Sequence, residues 1–215
     1  MKPYYEHAGI TIYHGDCRDV LEDWRYECPA TVILTDPPYG IGKATWDVEF
    51  PSWLFGAIPQ SIYAAGFQIG NWNLPRLPMT MNGLLYRWTL CGYLVNGMTR
   101  GAIGFSNWIP CNIYSSPTAR LYREESDVKE FAIGIEPKQT HPSPKPLDTT
   151  KWFLSRLLDP TCATVLLDPF CGSGTSLRAA KDCGLSAIGI EIEERYCEIA
   201  AQRLSQEVLP LELAK

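Results

Sequence analysis

Along this chain, short apolar runs alternate with turn-forming clusters, and two of the runs end alike. Thr31-Val32-Ile33-Leu34 stops at Thr35-Asp36-Pro37-Pro38-Tyr39-Gly40, and Thr164-Val165-Leu166-Leu167 stops at Asp168-Pro169-Phe170. Unbroken β-branched and apolar runs closed by turn residues read as buried strands, each delivering an acid at its carboxyl end. Upstream, Ile10 to Tyr13 predicts a strand, His14-Gly15-Asp16 a turn, and Cys17 to Trp24 a helix with Val20 and Leu21 inward. The opening is thus strand, turn, helix, strand, with Asp16 closing its first strand.

The middle is less regular. Gly66 to Trp72 and Leu84 to Val95 predict strands or mixed elements, with Asn71, Pro75 and Pro78 breaking the chain between them. Ser106 to Ser115 predicts a strand region interrupted at Pro110, and Phe131 to Ile135 a short strand within a Ser-, Pro-, Thr- and Lys-rich stretch. Asp148 to Leu158 predicts a helix with Trp152, Phe153, Leu157 and Leu158 at core spacing and Asp148 as its N-cap. Beyond the second apolar run come a helix from Leu177 to Lys181, a strand from Ala187 to Ile190 ending on Glu191, and an amphipathic helix from Arg195 to Glu207.

Strands alternating with helices over 215 residues fit one α/β domain, expected to span 1–215 with a short insert within about 71–140. The chain holds no apolar run of transmembrane length, and Met1 to Ala8 is polar and aromatic, which predicts a cytoplasmic protein. Eight cysteines lie scattered without zinc spacing, so buried reduced thiols and no metal are expected. A net charge of −5 argues mildly against a nucleic-acid partner. Its distribution argues the other way: between Phe50 and Glu124 there is no Asp, Glu or Lys, while Arg76, Arg87, Arg100, Arg120 and Arg123 stand among aromatics. Such a segment is either a surface that follows a nucleic-acid backbone and stacks on bases, or a Trp-rich core with ordinary surface arginines.

The two strand ends carry the chemistry. Proline fixes φ and removes an N–H, so Pro37-Pro38 leaves carbonyls with few internal partners and holds Asp36 and Tyr39 in one arrangement. Acceptors beneath an aromatic face suit an exocyclic amino group on a flat ring; the plainer reading is a loop after a strand. At the second end, Gly172 and Gly174 form a strand-to-helix turn, and Glu191 ends the next strand, as in a Rossmann-like nucleoside site. The third glycine of a dinucleotide fingerprint would fall at Leu177, and a Walker lysine is missing, so a nucleoside without pyrophosphate is the better ligand. Asp168 beside that turn would repel phosphate and attract an ammonium or sulfonium centre.

Asp36-Pro37-Pro38-Tyr39 resembles the Asp-Pro-Pro-Tyr motif of the DNA amino-methyltransferases, which methylate adenine N6 or cytosine N4. Asp168-Pro169-Phe170-x-Gly172-x-Gly174-Thr175 resembles the cofactor motif of that family, and His141-Pro142-x-x-Lys145-Pro146 the element preceding it. The resemblance implies a Rossmann-like, S-adenosylmethionine-dependent methyltransferase fold, circularly permuted so that the catalytic motif precedes the cofactor motif. It implies catalytic roles for Asp36, Pro37, Pro38 and Tyr39. It assigns cofactor contacts to Asp16, His141, Lys145, Asp168, Phe170, Gly172, Gly174, Thr175 and Glu191, with Asp16 at the cofactor's adenine, Glu191 at its ribose and Lys145 near its methionine end. DNA is the implied partner, with base flipping and a restriction-modification role; a homodimer is one reading of the assembly. Adenine N6 is the implied target, with cytosine N4 or an inactive DNA-binding relative as alternatives. Carbon-5 cytosine methylation needs a cysteine nucleophile, and Pro110-Cys111 supplies the dipeptide without that class's motif order.

Overall fold

The computed structural model describes residues 2–22, 30–42, 47–97, 99–100, 104–121, 123–132, 145–159, 161 and 164–206. In chain order the elements are β1 (Tyr5–His7), β2 (Ile10–His14), α1 (Cys17–Glu22), β3 (Ala30–Thr35), α2 (Leu54–Ala57), β4 (Ile62–Phe67) and a 3-10 turn at Asn71–Arg76. There follow β5 (Thr80–Met81), β6 (Leu84–Leu94), β7 (Thr99–Arg100), β8 (Phe105–Ser106), β9 (Trp108–Ser115) and β10 (Val128–Phe131). The remainder is α3 (Leu147–Ser155), β11 (Thr164–Asp168), α4 (Thr175–Asp182), β12 (Ser186–Glu191) and α5 (Glu194–Ser205).

One sheet runs β1-β2-β12-β11-β3-β4-β9-β6-β10, with β5 on β6 and with β7 and β8 paired apart. Its centre, β2, β12, β11, β3 and β4, is parallel. Followed from β11 through β12 to β2, then β3 and β4, this centre has the doubly wound order 3-2-1-4-5, assembled from the carboxy-terminal unit and then the amino-terminal one. That is the permuted methyltransferase topology. The order reverses between β11 and β3, and open parallel sheets bind ligands at such a switch point.

Burial on both faces explains the unbroken apolar runs. Val32, Leu34 and Leu166 pack with Trp152 and Phe153 of α3, Leu157 just beyond it, Leu177 of α4 and Leu204 of α5. Ile33 and Leu167 point the other way, packing with Leu21, Leu54, Ile58 and Phe67. Neighbouring residues of a strand face opposite sides, so a strand covered on both must be apolar throughout. Each such side chain contributes roughly 1.5–3 kcal/mol on burial.

Three local expectations change. β9 runs straight through Pro110, because Pro110 pairs with Cys91 and the Cys91 N–H is directed away, to Asp127 O at 2.8 Å. The proline nitrogen therefore faces the side where β4 pairs only with 112–115, and no ladder bond is lost. Helix α3 is capped by Pro146 and begins at Leu147, which puts Asp148 inside the first turn. The strand expected at 131–135 lies earlier, at Val128–Phe131, and residues 133–135 fall outside the described residues. No helix among the described residues is long and apolar enough to cross a membrane.

Candidate active site

Strands β11 and β3 lie side by side with Leu167 opposite Ile33, so Asp168 and Asp36 emerge at the same edge of the sheet. A cavity of about 380 Å³ opens there, and Asp16, Asp36, Tyr39, Lys145, Phe170 and Glu191 are among its walls. Asp168 is 3 % exposed and its carboxylate is turned inward. It accepts from the Thr35 hydroxyl at 2.6 Å, from the Phe170 N–H at 3.0 Å and from the Ser176 hydroxyl. Burial pushes its pKa up to about 6, against the pull of these three donors. Asp168 thus braces the glycine turn against β3.

At the other turn the Tyr39 hydroxyl donates to Asp36 Oδ1 at 2.6 Å, and Lys145 Nζ donates to Asp36 Oδ2 at 2.5 Å and to the Tyr39 oxygen at 2.8 Å. The Lys145 ammonium also stands 5.2 Å from the Tyr39 ring centroid. Burial, then the Asp36 charge and its hydrogen bond, hold the Tyr39 phenol well above its ordinary pKa, so it stays a neutral donor. Lys145, expected near the methionine end of the cofactor, here donates to the Asp36–Tyr39 pair.

The turn is held from behind by Asp47. Its buried carboxylate accepts from the N–H groups of Tyr39 and Gly40, both at 2.7 Å, and of Ile41 at 3.4 Å. Gly40 has φ +68°, and a Cβ there would meet Phe50 N at 2.7 Å, so only glycine lets the chain turn into this carboxylate. Asn73 Nδ2 donates to the Tyr39 carbonyl at 3.0 Å.

The glycine turn is built the same way, backbone N–H groups gathered by an acid. Glu191 accepts from Gly172 N–H at 2.9 Å and from Glu193 N–H at 2.8 Å, and its burial raises its pKa to about 7. Gly174 caps α4 at φ +77°, with Ala200 Cβ only 2.9 Å from where its own Cβ would be. The Thr175 hydroxyl accepts from Arg203 Nη1 at 2.9 Å. Asp16 accepts from Arg18 Nε at 3.0 Å, and that hydrogen bond holds its carboxyl below the usual range. Phe170 faces Trp53 with ring centroids 6.3 Å apart. His141 lies outside the described residues.

Residues 98–202 match a family of N6/N4 DNA methyltransferases described as DNA methylase. The Type II methyltransferase M.ScaI of Streptomyces caespitosus is 24 % identical over 262 residues, covering 98 % of this chain and 86 % of that protein. The solved M1.HpyAVI–SAM complex superposes with a TM-score of 0.68 at 23 % identity, over 90 % of this chain and 99 % of that one. Just under half of the chain thus matches the DNA amino-methyltransferase family, and nearly all of it is similar to Type II methyltransferases. Members of that family draw their methyl group from S-adenosylmethionine. The cytosine-N4-specific PvuII DNA methyltransferase shares the fold as well, with a TM-score of 0.71 at 14 % identity over 97 % of this chain and 90 % of that one.

One cavity is lined both by Glu191, Gly172, Phe170 and Asp16 and by Asp36, Tyr39 and Lys145. The fit to S-adenosylmethionine rests on the donor set: carboxylates for ribose hydroxyls and an amine, and glycines where backbone must approach closely. Cys111, by contrast, is fully buried in the core with its thiol pKa pushed well up by burial. A thiol so placed is an inert packing group, which removes the carbon-5 reading. Sequence reasoning missed Asp47 and Gln68 as site residues. The signal for Asp47 was an acid shortly after a Gly-x-Gly stretch; for Gln68 it was one amide closing an apolar strand.

Proposed function

We propose that this methyltransferase acts on the N6 amino group of adenine in DNA. The observation that carries this reading is the Lys145 ammonium on Asp36 and Tyr39, with bonds of 2.5 and 2.8 Å. An N–H donor already occupies the acceptor pair, so the pair is chemically an amine seat. The Asp form of the Asp-Pro-Pro-Tyr turn favours adenine by its family resemblance.

Adenine N6 is a poor nucleophile because its lone pair is delocalised into the ring. Asp36 and a second acceptor beside it at the carboxyl ends of the central strands accept the two amine hydrogens, hold them out of conjugating geometry and aim the lone pair across the cavity. When bound, S-adenosylmethionine supplies a methyl carbon that leaves its sulfur, with the electron pair staying on sulfur, as the new N–C bond forms. Asp36 or water then takes the proton from the methylated nitrogen, which has become strongly acidic. Tyr39 stacks on the base and recovers part of the few kcal/mol that flipping it from the duplex costs. Asp16, Phe170, Gly172, Gly174, Thr175 and Glu191 hold the nucleoside end of the cofactor.

A short or relaxed target sequence follows from the chain's economy. Residues 80–131 supply β5, β6, β9 and β10 to the sheet. The 262 positions aligned with M.ScaI exceed the 215 residues of this chain, so segments of that relative lack a counterpart here. Target reading is therefore slight or shared with a second subunit, and a cytoplasmic location follows from DNA as substrate.

Mass spectrometry of nucleosides from unmethylated DNA incubated with the protein and S-adenosylmethionine tests the reading. N6-methyladenine is expected, and Asp36→Ala should abolish it with the fold retained. N4-methylcytosine would overturn the base assignment, and an unmodified digest despite cofactor binding would make the chain a non-catalytic relative.

A further inference from the structure

We propose that Gln68 reads the edge of the target base, an inference that rests on the amine-methylation reading above. Strand β4 pairs with β3 so that Phe67 stands opposite Thr35, which brings Gln68 alongside Asp36 at the carboxyl ends of the two strands. Its backbone is fixed to the catalytic turn on both sides. The Gln68 N–H donates to the Thr35 carbonyl at 2.9 Å, and its carbonyl accepts from the Tyr39 hydroxyl at 3.3 Å. Gln68 is among the residues lining the cavity, it is 3 % exposed, and its Oε1 is buried with no hydrogen-bond partner among the described residues.

Leaving a buried amide acceptor unpaired costs stability that leucine or methionine of similar shape would not cost. The contrast with a nearby buried amide is instructive. Asn112 accepts from the Thr89 hydroxyl at 2.8 Å and donates to the Phe67 carbonyl at 3.4 Å, so its polar atoms serve the fold. The Gln68 oxygen bonds to nothing among the described residues, and its residue is tied through its backbone to Thr35 and Tyr39.

The chemistry it would recognise follows from its two groups. A carboxamide offers an acceptor and a donor side by side, whereas Asp36 offers acceptors alone. Adenine presents the N6 amine beside the N1 lone pair, and cytosine presents N4 beside N3 in the same order. Gln68 Oε1 takes one amine hydrogen, Asp36 takes the other, and Gln68 Nε2 donates to the ring nitrogen. Guanine and thymine would turn a carbonyl toward Asp36 and a ring N–H toward Nε2, and both contacts repel. Asp36 fixes which way round the amide is used, so the pair selects an amino-bearing base and rejects a keto-bearing one.

The test compares Gln68→Leu and Gln68→Glu with wild type in three measurements: methyl transfer to unmethylated DNA, S-adenosylmethionine affinity and Tm. In Gln68→Leu, kcat/KM for DNA should fall about 10- to 100-fold, mostly through KM, with cofactor affinity within about twofold and Tm equal or higher. Gln68→Glu keeps the amine acceptor and loses the ring donor, so its DNA turnover should also fall while cofactor affinity holds. Wild-type kcat/KM in Gln68→Leu would overturn the inference, and so would a lower Tm or a lost cofactor affinity that accounts for the defect. A wild-type protein that methylates no base amine overturns the underlying reading and this inference with it. A wild-type protein that does so, beside an equally active Gln68→Leu, overturns this inference alone.

Discussion

The hydroxyl of Thr35, the last residue of β3, donates a 2.6 Å hydrogen bond to the buried carboxylate of Asp168, the last residue of β11. One bond thereby fixes the catalytic turn, which begins at the next residue, against the glycine turn that follows Asp168. Two catalytic halves far apart in sequence need such a tie, because misplacement by an ångström is enough to lose orientation in a transfer reaction.

Thr35→Val keeps the shape and removes the donor. Burial already raises Asp168 to about 6, so the stability gained from a neutral carboxyl is present at low pH and lost as pH rises through that value. Without the hydroxyl the pKa rises further and the loss grows. Urea unfolding should show Thr35→Val less stable than wild type by about 1–3 kcal/mol at pH 8, and by clearly less at pH 5. An equal deficit at both pH values would contradict this account.

Asp47 gathers three backbone N–H groups, at Tyr39, Gly40 and Ile41. Asp47→Ala should cost about 2 kcal/mol by leaving these donors to compete for water in a partly closed site. More tellingly, Tyr39 loses its fixed relation to Asp36, so KM for DNA should rise while cofactor affinity stays near wild type. Asp47→Asn, which keeps one acceptor, should fall between the two. A DNA KM unchanged in Asp47→Ala would remove the positioning role.

What the sequence made legible is what depends on local pattern. Thr31 to Leu34 and Thr164 to Leu167 announce themselves because strands covered on both faces admit no polar residue, and each acid stands where its run stops. Whatever depends on tertiary pairing was hidden. Lys145 meets Asp36 across 109 residues, and no periodicity encodes that contact. Asp47 acts on the backbone of residues six to eight positions away, a relation no periodicity encodes. Strand β10 reads Val-Lys-Glu-Phe and lies at the sheet edge with its first three residues exposed, so it lacks the apolar signature and was expected too late in the chain. Pro110 looked like a break only because sequence does not say which way a strand nitrogen points.

The position of Lys145 changes what its loss should do. A lysine at the methionine end of the cofactor would, when removed, weaken cofactor binding. A lysine on Asp36 and Tyr39 should leave cofactor affinity within about threefold and reduce turnover of DNA more than about tenfold, because the carboxylate loses the charge that holds it in place. Isothermal titration with S-adenosylmethionine and steady-state kinetics on Lys145→Ala separate the two. A collapse of cofactor affinity with normal residual kcat would return Lys145 to the methionine end.

Glu191 sets the expected pH dependence. Burial raises its pKa from 4.5 to about 7, the Gly172 and Glu193 N–H bonds opposing the shift. The sign for the ligand-free fold is definite. Stability from a neutral Glu191 is complete below the ordinary carboxylate range and lost as pH rises through 7, on the order of 3–4 kcal/mol in all. Cofactor binding moves oppositely, since an ionised Glu191 accepts more strongly from ribose hydroxyls. Between pH 6 and pH 8 the ionised fraction, and with it the affinity for S-adenosylmethionine, should rise about tenfold. Glu191→Gln cannot titrate, so both slopes should flatten near pH 7 while the Asp168 contribution near pH 6 persists. A Gln variant that keeps the wild-type rise in affinity would assign the titrating group elsewhere in the cavity.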